Sequence, residues 1–289
     1  MTKVFLDYSQ EQLDAQYDQA TLVPDVTPYT ARWTIETETA KRRFRCIERQ
    51  AYGPHPDEWV DVYRPDEEAG DAPIVVFFHG GAWRAQQIGT TGHPAFAYAG
   101  AGAQFIAVNF TVAPDATIDE MVRQCRGAAA FVYHAAVDWG GNPERIFLLG
   151  HSSGAHLVSN VAVTDWAPLG LPTDLVKGIA VASGPYDLAP VLLSKRNAYL
   201  HLDRAAAERN TAARHLRPNL PPAVISWGGK ELAEFKRQGQ AFADKWEDKT
   251  ASVTRLFFAC NNHFDQRDEI AKPNGPFAKA FRSMMKSGV

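Results

Sequence analysis

The stretch "IFLLGHSSGAHL", Ile146 to Leu157, decides how the chain is read. Its apolar start reads as a buried strand and its end as the opening of a helix. Between them Gly150, His151, Ser152, Ser153 and Gly154 fit the pattern G-x-S-x-G. Lacking β-carbons, Gly150 and Gly154 let a strand reverse sharply into a helix, which holds the central serine in a strained conformation with its hydroxyl exposed. Ser152 is therefore the candidate nucleophile, and the amide of Ser153 points where an oxyanion would form. A glycine-rich turn without chemistry fits the same five residues, so the surrounding sequence has to decide.

Apolar runs of the same kind recur on both sides: "APIVVFFHG", "AQFIAVNF", "VKGIAVASG", "PAVISWGG" and "SVTRLFFAC". Continuous apolar runs mark strands covered on both faces, the centre of a parallel sheet. "RCIERQAYG" and "EWVDVYRP" instead alternate apolar and polar residues, which predicts a half-exposed antiparallel pair opening the sheet. Ile118, Met121, Val122, Cys125, Ala129 and Val132 fall at helical spacing behind a capping box of Thr117 and Glu120. Leu232, Phe235, Phe242 and Trp246 mark a second helix face, with Gly239 leaving room for close packing. About eight strands with helices between them make one α/β domain over 1–289. Two regions fall outside the alternation. Residues 1–44 hold a helix in "SQEQLDAQYDQA" and then a loop with Pro24 and Pro28, usable as a lid, a brace or a subunit contact. Residues 188–220 read as short helices inserted between central strands, placed to cap a site at the strand ends.

"FFHGGAW", Phe77 to Trp83, directly follows a central strand, and its glycines leave backbone N–H groups unshielded. The amides of Gly80, Gly81 and Ala82 are candidates to bind a carbonyl oxygen that is becoming negative. His79 reads as an organiser of that loop. Trp83 and Tyr186 are the candidate substrate-binding side chains, with a core position the alternative for Trp83. A serine hydroxyl needs a base, and the base needs a partner to hold its tautomer. Of nine histidines, His263 lies just past the last central strand and beyond every other motif, which fits the chain order Ser, acid, His. His151, beside the serine, is expected to face away in a tight elbow. For the acid, "ISWGGKELAEF" offers Glu231 nearest the strand end and Glu234 one helical turn on, with Asp187 in "SGPYDL" the fallback.

Composition narrows the partners. The chain has 289 residues, 45% hydrophobic and 22% charged, enough for a large core. Its 30 Lys and Arg against 33 Asp and Glu give no electrostatic reason for a nucleic acid or an anionic membrane, so a small-molecule substrate is expected. A homodimer stays open. No apolar run approaches the roughly 18 residues that span a bilayer, and the start lacks a cleavable leader pattern, so a cytoplasmic protein is expected. Cys46, Cys125 and Cys260 are scattered and fit neither a disulfide framework nor a zinc site, which leaves reduced, mostly buried thiols. No metal and no other cofactor is called for. The insertion sets Lys195, Arg196, Arg204, Arg209, Arg214 and Arg217 against Asp203 and Glu208, a balance that suits either an anionic substrate or a solvated helix surface.

Taken in order, "LDAQYD", "HGGAW", "NFTVAPDATIDEMVRQ", "GHSSGAHL", "SGPYDLAP", "GGKELAEFKRQ" and "HFD" span most of the chain. In these motifs the chain resembles the α/β-hydrolases of the kynurenine formamidase (arylformamidase) and HGGxW carboxylesterase group. The resemblance implies the α/β-hydrolase fold, a mostly parallel sheet of about eight strands with helices on both faces and a small helical cap. It implies Ser152 as nucleophile, Glu231 as acid and His263 as base, with Gly80, Gly81 and Ser153 lending their amides to the oxyanion. It also implies acyl transfer on an N-formyl aryl amide or a short-chain ester. Ser153 and Ala155 depart from the small-residue pattern "SAGG" of the group, and the Ser153 hydroxyl would add a polar group near the acyl site.

Overall fold

A computed structural model describes residues 2–66, 70–85, 88–250 and 252–287. Among these residues eight strands form one sheet: β1 (Ile47–Ala51), β2 (Trp59–Tyr63), β3 (Ala72–Phe78), β4 (Gln104–Asn109), β5 (Gly141–His151), β6 (Val176–Ala182), β7 (Ala223–Gly228) and β8 (Val253–Phe258). Their order is β1-β2-β4-β3-β5-β6-β7-β8. β1 and β2 pair antiparallel, β2 pairs antiparallel with β4, and from β4 to β8 every pairing is parallel.

The apolar runs are explained by the two faces of this sheet. Alternate residues point to opposite sides, so Ile74, Val76 and Phe78 of β3 enter one core while Val75 and Phe77 enter the other. The first core is closed by α4 (Ile118–Ala135), α5 (Ser153–Ala162) and α9 (Ala233–Glu247), the second by α3 (Ala95–Tyr98) and α11 (Pro276–Lys286). Phe277 and Phe281 of α11 are fully buried, each worth on the order of 2–3 kcal/mol of transfer free energy. Gly239 lets α9 approach β7 closely: a β-carbon there would meet the Trp227 side chain at 3.2–3.3 Å.

Several expectations are corrected. β1 has the half-exposed pattern expected of the pair, but β2 is buried along its whole length, with Val60 and Val62 in one core and Tyr63 in the other, and β8, read as covered on both faces, leaves Thr254, Arg255 and Phe257 open on the sheet edge. Only half of the Thr117 capping box forms. The Thr117 side chain accepts from the Glu120 amide, but the Glu120 carboxylate turns to Arg123 and Gln124. Of the three thiols, Cys125 is buried but Cys260 is exposed.

The largest correction lies near the start. α1 (Gln10–Ala15) is short, capped by a box of Ser9 and Gln12, and the supposed proline loop instead leads into a seventeen-residue helix, α2 (Thr27–Arg43), with Pro28 in its first turn. Proline suits that position, where its missing N–H has no intrahelical partner to lose. The insertion holds α6 (Ala189–Leu193), α7 (Asn197–Leu200) and α8 (Arg204–Arg209), and α10 (His263–Glu269) precedes α11. Among the described residues no helix is long and apolar enough to cross a membrane.

Candidate active site

β5 delivers Ser152 to the C-terminal edge of the sheet, and α5 starts at the next residue. Ser152 has φ 57° and ψ −128°, a conformation non-glycine residues seldom adopt and one that costs on the order of 1–3 kcal/mol. The surroundings hold it there. Its amide donates to the carbonyl of Ala182 at the end of β6 at 2.9 Å. The flanking glycines are a steric requirement: a β-carbon on Gly150 would lie 2.5 Å from the Gly154 carbonyl oxygen, and one on Gly154 would overlap the Phe78 carbonyl oxygen of β3.

The base comes from the far end of the chain. Asn262 caps α10, its side chain accepting from the amides of Phe264 and Asp265, and this cap sets His263 at the first position of the helix. His263 Nε2 lies 2.9 Å from Ser152 Oγ, and its Nδ1 lies 2.7 Å from Glu231 Oε1. Glu231 follows β7, and its other oxygen, Oε2, accepts from Ser183 Oγ and from the Gly228 amide, each at 2.8 Å. With that carboxylate accepting at Nδ1–H, the Nε2 lone pair is the one that faces the serine hydroxyl. All three side chains are buried. The other two acids stand elsewhere: Glu234 is fully buried and paired with Arg237 and Gln238, while Asp187 is half-exposed and turns back to the amide of Ala189.

The glycine loop lies against the serine. A β-carbon on Gly80 would meet the His151 carbonyl oxygen at 2.9 Å and Ser152 Cβ at 3.1 Å, so only glycine lets the loop come this close. Gly81, Ala82 and Trp83 all have positive φ, of 114°, 56° and 58°. This turn leaves the amides of Gly80, Gly81 and Ala82 without a protein acceptor among the described residues. Three free N–H groups beside a serine hydroxyl suit a developing oxyanion. His79 organises the loop: its Nδ1 donates to the Gly80 carbonyl at 2.7 Å, its ring stacks on Phe110, and burial lowers its pKa to about 4.

Three sequence expectations meet corrections here. Trp83 and Tyr186 do not line the cavity over Ser152. Trp83 is 1% exposed and donates from its indole to His156 Nδ1, and Tyr186 is stacked 4.0 Å over Phe242 in the core. The Ser153 hydroxyl is turned away from the acyl site to accept the Trp83 amide at 3.2 Å, tying the glycine loop to α5. His151 lines the cavity rather than facing away, and its Nε2 donates to the His263 carbonyl at 3.0 Å. Burial, then the neighbouring His263, push its pKa well below the usual histidine value, so it stays neutral beside the base.

Above Ser152 lies a cavity of about 260 Å³. Its roof is built by the N-terminal segment, with Gln19, Ala20, Val26, Thr30 and Trp33, and the insertion contributes only Arg196. The roof is fastened at both ends: the Trp33 indole donates to Asp268 at 2.6 Å and Tyr29 to Asp265 at 2.9 Å, while the Lys195 amide donates to Asp14 at 2.5 Å. Sequence reasoning missed Ser183 and the roof residues. A serine at a strand end and a mostly polar helix leave no periodic apolar signal.

A parallel sheet flanked by helices, with a serine on a strained turn at the C-terminal end of a central strand, defines an α/β-hydrolase. Residues 60–231 match the BD-FAE family, and the chain belongs to it. It is 26% identical over 288 residues to the kynurenine formamidase of Danio rerio, covering 96% of this chain and 97% of that one. It is 30% identical over 256 residues to the kynurenine formamidase of Salmo salar, covering 86% and 85%. Among solved structures it resembles a protein of Silicibacter sp. TM1040 (23% identity, TM-score 0.79, covering 93% and 98%). It also resembles the carboxylesterase EstE1 from a metagenomic library (18% identity, TM-score 0.69, covering 96% and 98%), a likeness of fold. The chain is a hydrolase of the esterase and formamidase type.

Proposed function

We propose that the chain is a serine hydrolase that cleaves a small-acyl amide or ester through an acyl-enzyme, with an N-formyl aryl amide such as N-formylkynurenine the leading substrate. The observation that carries this reading is the unbroken hydrogen-bond chain from Ser152 through His263 to Glu231, with free amides beside it. His263 takes the Ser152 proton as the hydroxyl attacks the carbonyl carbon, and the carbonyl electron pair moves onto oxygen, where the amides of Gly80, Gly81 and Ser153 receive it. The tetrahedral intermediate collapses as His263 gives its proton to the leaving nitrogen or oxygen. Water, deprotonated by the same imidazole, then releases the acid and restores Ser152. An anilide needs that proton as its bond breaks, whereas a phenyl ester leaves without help, so ester turnover alone does not identify the natural substrate.

The test is the specificity constant across N-formylkynurenine, an aryl acetate and an aryl butyrate. The expected order favours the formamide, with each added methylene on the acyl side costing roughly 1–3 kcal/mol by overpacking. Activity on the acetate with none on the formamide replaces this reading with a short-chain carboxylesterase. Equal rates on acetate and butyrate remove the tight acyl pocket.

A further inference from the structure

We propose that Arg196 is a carboxylate anchor, so that the substrate carries an anionic group on its leaving portion and the chain selects for it. This rests on the reading of Ser152 as the nucleophile acting in the cavity above it. Of the six cations in the insertion, Arg196 is the one that lines this cavity. The others are spent or point to solvent. Lys195 pairs with Asp18 at 2.9 Å, Arg209 with Asp119 at 2.9 Å and Arg214 with Glu208; Arg217 donates to the carbonyl of Thr164, and Arg204 is exposed.

Arg196 is 6% exposed and has no carboxylate within ion-pair distance among the described residues. Its Nη2 donates to the Tyr17 carbonyl at 3.0 Å and its guanidinium lies 5.1 Å from the Tyr17 ring centroid, but Nη1 is buried and has no hydrogen-bond partner among the described residues. An unused donor on a buried cation is costly, and a carboxylate that accepts from it recovers that cost. The rest of the lining agrees in sign. Among the described residues no Asp or Glu lines the cavity, and a second buried cation does: Arg267, held 4.0 Å over the Trp33 ring with its Nη2 donating to Thr90. Arg267 is already engaged by those groups, which leaves Arg196 as the cation with a donor to give; the buried Gln19 amide, also unpaired among the described residues, adds a neutral donor to the lining.

The experiment uses aryl acetates of matched size that carry, on a short aliphatic arm of the aryl group, a carboxylate, a neutral amide or an ammonium. The wild-type protein is expected to show kcat/KM in the order carboxylate, neutral, ammonium. Arg196→Met is expected to cut the carboxylate-to-neutral ratio on the order of 10- to 100-fold, through KM rather than kcat. Arg196→Lys, which keeps the charge and loses the planar fork, should fall between. Equal wild-type constants for the carboxylate and neutral esters overturn the proposal without any variant. So does an Arg196→Met protein that loses both esters by the same factor, since that is what a mere strut to Tyr17 would do. The Ser152→Ala protein extends the test to binding alone, where it should hold the carboxylate ester more tightly than the neutral one. Failure on the formamide with this preference intact would sink the formamidase reading and leave the anchor standing.

Discussion

Glu231 holds His263 with only one of its two oxygens. Oε1 lies 2.7 Å from Nδ1, while Oε2 is committed to Ser183 Oγ and the Gly228 amide. The carboxylate is thus oriented from behind, and the ring it faces cannot rotate without breaking a buried charge-assisted bond. Glu231→Gln should fold, bind substrate and lose roughly 10⁴-fold in kcat, since an amide neither fixes the tautomer nor stabilises the imidazolium. Asp187→Asn, whose side chain caps a local turn and lies 3.8 Å from Arg214, away from His263, should stay within a few-fold of wild type. Steady-state kinetics on one ester decides, and the reverse ranking would move the acid to the preceding strand.

Ser152→Ala should leave a folded protein with turnover reduced on the order of a millionfold. Ser153→Ala should behave differently, because the Ser153 hydroxyl supports the Trp83 amide rather than the reaction. A loss of roughly ten-fold through loosening of the glycine loop is expected there. Mapping an organophosphate adduct by mass spectrometry checks both, with Ser152 as the labelled residue. An adduct on Ser153 would shift the nucleophile by one position.

Gly154→Ala should be severely destabilising, since its methyl group would overlap the Phe78 carbonyl of a central strand. Backbone cannot give way as a side chain tip can, so a cost above about 3 kcal/mol in urea denaturation is expected. Gly170→Ala meets no neighbour, although Gly170 has φ +71°, and should cost only about 1 kcal/mol for the left-handed backbone. Similar midpoints for the two variants would contradict the close packing of α5 under β3.

Stability should fall in mild acid. Burial pushes the pKa of both His79 and His156 from 6.5 down to about 4, so between those values the unfolded chain takes up protons that the folded one refuses. The contribution is fully present above pH 6.5 and is lost as pH falls toward 4, by about 3 kcal/mol for each histidine at the limit. Urea midpoints at pH 7 and pH 4.5 measure it. Replacing His156, which donates from Nε2 to the Asn210 carbonyl at 2.7 Å, by Gln should flatten the decline while lowering stability at pH 7. A wild-type midpoint independent of pH over this window would mean that these rings are not buried in neutral form.

How far the chain could be read from its letters follows from what each residue had to satisfy. Gly80, Gly150 and Gly154 are positions where no other side chain fits, and a constraint that absolute leaves a visible pattern. The strands of the sheet centre were legible because both faces bury apolar residues. α2 was not, since the residues it buries are Trp33, Thr37 and Ala40, and one aromatic with two small side chains makes no stripe. Arg196 was hidden among five other cations of the same insertion, because direction into a cavity is a tertiary property with no local sign. Tyr186 and Trp83 misled for the opposite reason: aromatic residues beside a motif suggest a ligand, and here they fill the core beneath it.

The roof over Ser152 imposes an order on synthesis. Tyr29 and Trp33 are anchored to Asp265 and Asp268, more than two hundred residues later in the chain. This segment is therefore made long before it can dock through those bonds, because its partners on α10 follow so much later in the chain. Until then Trp33, buried in the finished protein, lacks the Arg267 guanidinium that covers its ring and the Asp268 carboxylate that binds its indole. A chain halted before α10 would carry an assembled sheet under a lid tied down only at its Asp14 end, and the Trp33 ring marks where a chaperone or a neighbouring nascent chain would first take hold.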